Sequence, residues 1–199
     1  MTAIRHAGPG DLAAIVAIYN ASIPGRMATA DLEPVTLASR EGWFEEFSPD
    51  RRPLWVACEQ SPSASSGPDR NAIESVAGPP VAWLSLHSFY GRAAYDATVE
   101  VSVYCAPDRQ RRGHSRALLR HALETAPSLG IATLLACVFG HNAPSLALFE
   151  GEGFVRWGIL PNVARLDGAR RDLVILGRGL AIGACAMDRG TIVSESDSL

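Results

Sequence analysis

The stretch from Thr98 to Arg120 constrains the fold most, because a strand pattern and a helix pattern flank one arginine-rich loop there. In its first part, valines alternate with Glu100, Ser102 and Tyr104. This period of two predicts a strand with one buried face. A carboxylate in the middle of a strand is costly to bury without a partner. Glu100 therefore indicates either a function or a specific ion pair.

The loop after this strand reads RQRRGHS, from Arg109 to Ser115, and leads into an amphipathic helix pattern. Such a loop directs successive backbone N–H groups and a helix N-terminus toward one point, which suits a phosphate group. The chain contains no lysine, so all 18 of its basic residues are arginines. This excludes Schiff bases, pyridoxal phosphate attachment and P-loop nucleotidase chemistry, which all need lysine. The alternative is an arginine-rich turn that only caps the helix.

The composition is that of an ordinary globular chain of 199 residues with a net charge of −3. We expect a single domain, residues 1–180, because this length supports one sizeable core. The negative charge argues against nonspecific binding of nucleic acid.

The four cysteines form no CxxC pair, so we expect neither a metal site nor a disulfide framework. The N-terminus has no apolar signal core, and we expect a cytoplasmic protein without a membrane anchor.

Hydrophobic periodicity and turn signals predict the order β-α-α-β-β-β-α-β-α-β-β, an α/β (α+β mixed) sheet with helices on both faces. Asp11 is expected to cap the first helix through its side chain. A second helix is expected from Leu37 to Phe47, with its aromatic residues buried. The polar residues 61–75 are predicted to form a flexible loop, and residues 181–199 a disordered tail.

Two motifs resemble those of the GNAT N-acetyltransferases. QRRGHS, from Gln110 to Ser115, follows the Q-x-x-G-x-[GA] pattern of that family's acetyl-CoA pyrophosphate loop, with Ser115 where Gly or Ala is usual. The stretch from Asn142 to Phe154 resembles the family's later motif, N-x-x-[AS]-x-x-[LF]-Y-x-x-x-G-F. AYDATVEVSVY, IYNASI and LEPVT are similar to the phosphinothricin acetyltransferase-like branch. The resemblance covers about Ile4 to Leu180, and the order and spacing of the motifs make it specific.

The resemblance implies the GNAT acyl-CoA N-acyltransferase fold, whose roughly seven-stranded mixed sheet is splayed open between its fourth and fifth strands. The pantetheine arm of acetyl-CoA would lie in that splay, and the loop amides would surround the pyrophosphate. Asn142 matches the position that touches CoA near its reactive end. The cofactor-binding residues implied in this way are Val103, Cys105, Arg111, Arg112, Gly113, His114, Ser115, Arg116 and Asn142.

The resemblance also implies the chemistry. Acetyl transfer from a thioester to an amine requires that the amine lose a proton, that the oxyanion meet donors and that the thiolate leave. Glu100 matches the glutamate that phosphinothricin-type enzymes are thought to use as general base. The alternative for Glu100 is a structural ion pair with an arginine such as Arg92.

The general acid stays unassigned at the level of sequence. Phe149 stands where many GNAT enzymes have tyrosine, and phenylalanine cannot donate a proton. Tyr104 shares the Glu100 face without a family match, and His141 lies next to Asn142 in sequence. The thiolate can also leave unprotonated, helped by a helix dipole.

Acceptor binding is expected from the segment just before the central strand, a region that binds the amino-acid-like substrate in the family. Arg92 and Tyr95 are the candidates, and Arg92 has the geometry to hold a carboxylate bidentately. The alternative for Arg92 is an ordinary surface arginine.

The leading hypothesis is direct acetyl transfer from acetyl-CoA to a small-molecule amine, such as phosphinothricin, methionine sulfone or methionine sulfoximine. One alternative is an acetyl-CoA-binding protein with weak or no catalysis, in a sensor or interaction role. Another is a protein N-acetyltransferase. A homodimer is common in the branch that the motifs resemble, although the sequence does not prove one.

Overall fold

The computed structural model describes residues 2–60 and 77–181. Its helices and strands follow the predicted order. In chain order they are β1 (Thr2–His6), α1 (Leu12–Ser22), α2 (Leu37–Glu45), β2 (Leu54–Gln60), β3 (Ala77–Ser88), β4 (Thr98–Cys105), α3 (His114–Thr125), β5 (Thr133–Phe139), α4 (Ala143–Gly151), β6 (Val155–Leu166) and β7 (Ala169–Gly179).

The strands form one seven-stranded mixed sheet with the order β1-β2-β3-β4-β5-β7-β6. Neighbouring strands are antiparallel except β4 and β5, which are parallel. The parallel pair requires a crossover, and α3 supplies it between the two strands. The predicted mixed sheet with helices on both faces is confirmed.

The sheet opens where β4 and β5 diverge. These two strands pair only over the three positions from Thr98 to Glu100, which lie opposite Thr133 to Leu135. On its other side β4 pairs with β3 through to Cys105. Val101 to Cys105 therefore have no ladder partner in β5, and both strands lie within the described residues. This divergence is the predicted splay between the fourth and fifth strands.

The two faces of β4 have different surroundings, as the alternation predicts. Val99 and Val101 are buried against α3, in a core that includes Leu118 and Leu134. The opposite face turns toward α1 and α2, where Trp83 packs in a second cluster. One strand thus stabilises the core with one set of side chains and presents Glu100 with the other set.

Asp11 does not cap the first helix through its side chain. Its carboxylate accepts hydrogen bonds from two nitrogens of Arg5, at 2.6 and 2.8 Å, and from the backbone N–H of Gly8 at 2.8 Å. The hydrogen bond from Arg5 holds the pKa of this carboxyl below its ordinary value. A 3-10 turn from Pro9 to Asp11 leads into α1. The Asp11 side chain therefore stabilises this turn before the helix and does not cap the first turn of α1.

The second helix is shorter and less buried than predicted. It ends at Glu45, and Thr36 caps it by accepting the backbone N–H of Ser39 at 3.2 Å. Its aromatic residues are half-buried because they cover an open space above the sheet. Trp43 contacts Trp83 across that space, with ring centroids 5.7 Å apart.

The predicted loop at 61–75 and residues 182–199 of the predicted tail at 181–199 lie outside the described residues. Within residues 2–60 and 77–181, none of the helices combines the length and the hydropathy that crossing a membrane would require.

Leu134 offers a test of the core under the splay. It is fully buried between the sheet and α3, so Leu134→Ala should lower the free energy of unfolding by about 2–5 kcal/mol through the cavity that it leaves. Urea unfolding followed by circular dichroism measures the change. Leu37→Ala, at the exposed start of α2, is the control and should stay within about 0.5 kcal/mol. Equal losses in the two variants would contradict the packing described above.

Candidate active site

A groove of about 740 Å³ runs from the arginine-rich loop into the splay. It collects eight of the nine residues that the sequence predicts for the cofactor. On its wall are Val103, Cys105, Arg111, Gly113, His114, Ser115, Arg116 and Asn142. The ninth, Arg112, does not line the groove and has Glu59 as its partner.

The loop turns sharply where it meets α3. Arg111 and Gly113 both adopt the left-handed backbone conformation, with φ of 60° and 87°. Glycine takes this conformation freely, whereas other residues are strained by it. The turn ends at His114, the first residue of α3, where the first backbone N–H groups of a helix have no intrahelical partner. These groups and the helix dipole favour an anion at this end of the groove.

Glu59 fastens this loop from below, and sequence analysis missed it. Its carboxylate accepts hydrogen bonds from Arg109 Nη1 at 2.6 Å and from Arg112 Nη1 at 3.4 Å. His114 donates from Nε2 to Glu59 Oε1 at 3.3 Å and meets Thr2 Oγ1 through Nδ1 at 3.0 Å. The loop is thus tied to β2 and β1 through one acidic side chain and one buried imidazole. Sequence carries no signal for this, because only the strand order brings Glu59 beneath the loop.

A second cavity, of about 420 Å³, continues on the far side of the splay, and Glu100 lines it together with Ser102 and Cys137. Glu100 is half-buried, and burial raises the pKa of its carboxyl above the ordinary value. No arginine of the described residues contributes to that pKa shift. The structural ion pair with Arg92, the alternative for Glu100, is therefore not formed in the described part of the chain.

Phe149 also lines the second cavity, and its ring packs edge-on against Phe154 with centroids 5.1 Å apart. It is buried and offers no proton. The two other candidates for an acid are engaged elsewhere. The Tyr104 hydroxyl donates to the backbone carbonyl of Ala28 at 3.2 Å, and burial raises its pKa. His141 donates from Nε2 to the carbonyl of Arg26 at 2.8 Å.

Asn142 connects the two cavities, since it lines both of them. Its side-chain oxygen caps α4 by accepting the Ser145 backbone N–H at 3.1 Å, and its amide donates to the carbonyl of Met27 at 2.8 Å. Asn142 therefore holds the segment after α1 over the splay. Its side chain is buried and already bonded at both ends.

Arg92 and Tyr95, the predicted acceptor-binding residues, lie on the surface before β4. Tyr95 packs against Phe89, with ring centroids 5.6 Å apart. Neither residue lines the groove or the second cavity. The geometry thus gathers Glu100 and the cofactor residues at one splay and leaves the acceptor pair apart from them.

Known proteins are similar to this chain in sequence and in fold. The family model of the acetyltransferase (GNAT) family matches residues 34–154. YwnH of Bacillus subtilis, whose assignment as a phosphinothricin acetyltransferase is itself provisional, is 46% identical over 178 residues, which are 89% of this chain and 99% of YwnH. The L-methionine sulfoximine/L-methionine sulfone acetyltransferase of Pseudomonas aeruginosa is 30% identical over 87% of this chain and 91% of its own length.

A solved structure bears on the cofactor. The structure of yncA from Salmonella typhimurium, determined with its cofactor acetyl-CoA, has a TM-score of 0.78 and 26% sequence identity, covering 95% of this chain and 99% of that protein. Because the family model covers more than half of the chain and the relatives and the fold agree with it, the chain belongs to the acetyltransferase (GNAT) family and is an acetyl-CoA-dependent N-acetyltransferase.

Proposed function

We propose that the protein transfers an acetyl group from acetyl-CoA directly to the amine of a small amino-acid analogue, with Glu100 as the general base. Phosphinothricin, methionine sulfone and methionine sulfoximine are the proposed acceptors. The observation that carries the proposal is the unpaired, half-buried carboxylate of Glu100 on the wall of the second cavity. The sulfone and sulfoximine activity of the Pseudomonas relative supports the class of acceptor.

The raised pKa of Glu100 suits a base. A base is most effective when its pKa lies near the working pH, and burial moves this carboxyl in that direction. In the proposed reaction the ammonium passes one proton to Glu100, directly or through water. The amine nitrogen then attacks the thioester carbonyl and the C–N bond forms. As the tetrahedral intermediate collapses, the C–S bond breaks, and the nitrogen gives its second proton, directly or through water, to the departing CoA thiolate. Glu100 returns its proton to solvent, so protons and charge balance.

The cofactor is proposed to lie in the groove, with its pyrophosphate at the turn formed by Arg111 and Gly113. The unpaired edge of β4 supports this placement, because Val103 and Cys105 have backbone groups free on the side where β5 diverges. A pantetheine arm carries amides that can pair with such an edge. No lysine is needed, since backbone amides, arginine side chains and the α3 dipole supply the positive potential.

Glu100→Gln tests the base. Since general-base catalysis contributes about 10²- to 10⁴-fold, the variant should lose at least about 100-fold in kcat/KM at neutral and acid pH. Without a base its rate should follow the fraction of free amine alone. The deficit should therefore shrink as the pH approaches the pKa of the acceptor amine. Parallel pH profiles for wild type and variant would remove the base role.

Two measurements keep that test specific. Acetyl-CoA binding by calorimetry should be unchanged in Glu100→Gln, because the groove itself is intact. Glu124→Gln, on the exposed face of α3, removes a carboxylate of the same type away from the cavity and should leave the pH profile as in wild type.

Glu59→Gln tests the fastening of the loop. The amide keeps the shape but removes the charge that Arg109, Arg112 and His114 share, so the loop should become less ordered. The KM for acetyl-CoA should rise about tenfold, equivalent to roughly 1.4 kcal/mol, with little change in kcat or in the KM for the acceptor. Initial-rate kinetics with each substrate varied in turn give these constants. A lower KM for acetyl-CoA would mean that Glu59 competes with the cofactor for the arginines.

Glu150→Gln is the matched control for Glu59. Glu150 forms an exposed ion pair with Arg156 at 2.7 Å and does not line the groove. Its loss should leave every kinetic constant within about twofold, since exposed ion pairs contribute little.

We also propose that the protein is a homodimer, with a second copy on the outer strand of the sheet. β6 is an edge strand, and it exposes Val155, Trp157, Ile159, Leu160 and Val163. An exposed apolar strand edge of this kind is typically buried in a contact with another protein surface. An antiparallel strand can pair with its own copy about a twofold axis, which buries the same apolar residues on both sides.

Light scattering after size-exclusion chromatography tests this proposal. The wild type should elute with twice the chain mass of 21.2 kDa, and Ile159→Lys should elute as a monomer because two lysines would meet at the twofold axis. Leu37→Lys, at an exposed leucine that begins α2, is the control and should stay dimeric. A monomeric wild type would refute the proposal.

A further inference from the structure

A third cavity, of about 160 Å³, lies between α1, α2 and the sheet face that carries Glu100. Four large aromatic side chains form part of its walls: Tyr19, Trp43, Trp83 and Tyr104. It shares Ser102 and Tyr104 with the second cavity, so β4 forms a common floor for the two. A cavity of about 150 Å³ holds a benzene molecule. The space therefore suits a substituent of about six non-hydrogen atoms.

The aromatic walls are held by the protein's own hydrogen bonds. Trp83 stacks on Tyr104 with centroids 4.5 Å apart and donates its indole N–H to the carbonyl of Ile15 at 3.2 Å. Trp43 donates its indole N–H to His87 Nε2 at 3.1 Å. His87 is consequently neutral with its proton on Nδ1, and burial lowers its pKa. These contacts keep the cavity open in one shape.

One polar group in the cavity has no partner. Ser85 is fully buried, and its hydroxyl makes no hydrogen bond within the described residues. It lies directly opposite Ser102 in the β3–β4 ladder. A buried hydroxyl without a partner is unfavourable, because it has given up its hydrogen bonds to water and gained none in return. A polar ligand atom in the cavity would remove that cost, and an oxygen there could accept a hydrogen bond from the Ser85 O–H.

The charges around the cavity exclude a cationic occupant. Arg40 lines the cavity, and its guanidinium lies over the rings of Tyr19 and Trp43, at 4.9 and 5.6 Å from their centroids. The nearby carboxylate of Asp31 is already taken by Arg40 at 3.2 Å and by the Tyr19 hydroxyl at 2.6 Å. A second cation would meet the guanidinium without a free carboxylate on the cavity wall.

We propose that this cavity is the side-chain subsite of the acceptor, selecting amines that bear a neutral or anionic, oxygen-containing substituent of about six non-hydrogen atoms. The acceptor amine would lie at Glu100 while its side chain extends past Ser102 to Ser85. Glu100 and Ser102 are two residues apart on one face of β4, about 7 Å along the strand. The inference rests on the proposed function, because it deepens the assignment of the acceptor.

Ser85→Ala tests the subsite with two matched acceptors, L-methionine sulfone and L-methionine, which differ only in the sulfone oxygens. The variant should lose about tenfold in kcat/KM for the sulfone, and less than twofold for methionine, since only the sulfone loses a hydrogen bond. The KM for acetyl-CoA should not change. The substitution removes an unpaired hydroxyl, so the fold should keep its stability. Equal effects on the two acceptors would overturn the inference.

Filling the cavity gives a second test. Ser85→Leu should lower kcat/KM at least tenfold for both methionine acceptors but should spare L-alanine, whose side chain does not reach the cavity. With wild type, L-lysine should be at least tenfold poorer than methionine sulfone at its α-amine. Uniform losses across the acceptors, or equal rates for lysine and the sulfone, would refute the selection described here.

Binding separates failure of the subsite from failure of the proposed function. If wild type acetylates neither acceptor, the proposed function fails for them. Methionine sulfone should nevertheless shift the tryptophan fluorescence of wild type, and the shift should be reduced in Trp43→Phe. Absence of that shift overturns the subsite whatever the activity.

Discussion

The divergence of β4 from β5 after Glu100 is the constraint on which the rest of the site depends. Three paired positions fix the two strands to one another, and from Val101 onward β4 is held by β3 alone. An unpaired strand edge is normally a liability. Here the opening becomes a slot with free backbone groups on one side and α4 on the other. Both the groove and the second cavity exist because this one ladder stops early.

Few of the charged side chains around this opening lack a partner among the described residues. The arginine-rich loop concentrates positive charge at one end, and Glu59 offsets part of it while fixing the shape of the turn. At the other end Glu100 is left without a counter-ion in the described residues. The contrast follows from location: these ion pairs lie at the rim, where water lowers their desolvation cost, whereas the Glu100 carboxylate, unpaired among the described residues, lies deeper.

Local patterns predicted much of the fold and part of the site. The alternation around Glu100 separated the two faces of β4 correctly, and the loop from Arg109 to Ser115 was predicted to lead into a helix, which begins at His114. Neither Glu59 nor Ser85 carried a signal, because each acquires its neighbours from strand order and not from its own segment. Asp11 shows the same limit: a capping pattern was present, but Arg5 on the adjacent strand bound the carboxylate instead.

The shared floor of the cavities has a consequence for how this enzyme can diversify. In the proposed reaction β4 supplies both Glu100 and the unpaired edge, so its eight residues would serve chemistry and cofactor together, and a one-residue slip would turn Glu100 into the core. The walls of the aromatic cavity come mainly from α1, α2 and β3. Substitutions there can reshape the acceptor space while the reacting atoms stay in register. In the proposed function, acceptor preference can therefore change through these walls without any change in β4 or its loop.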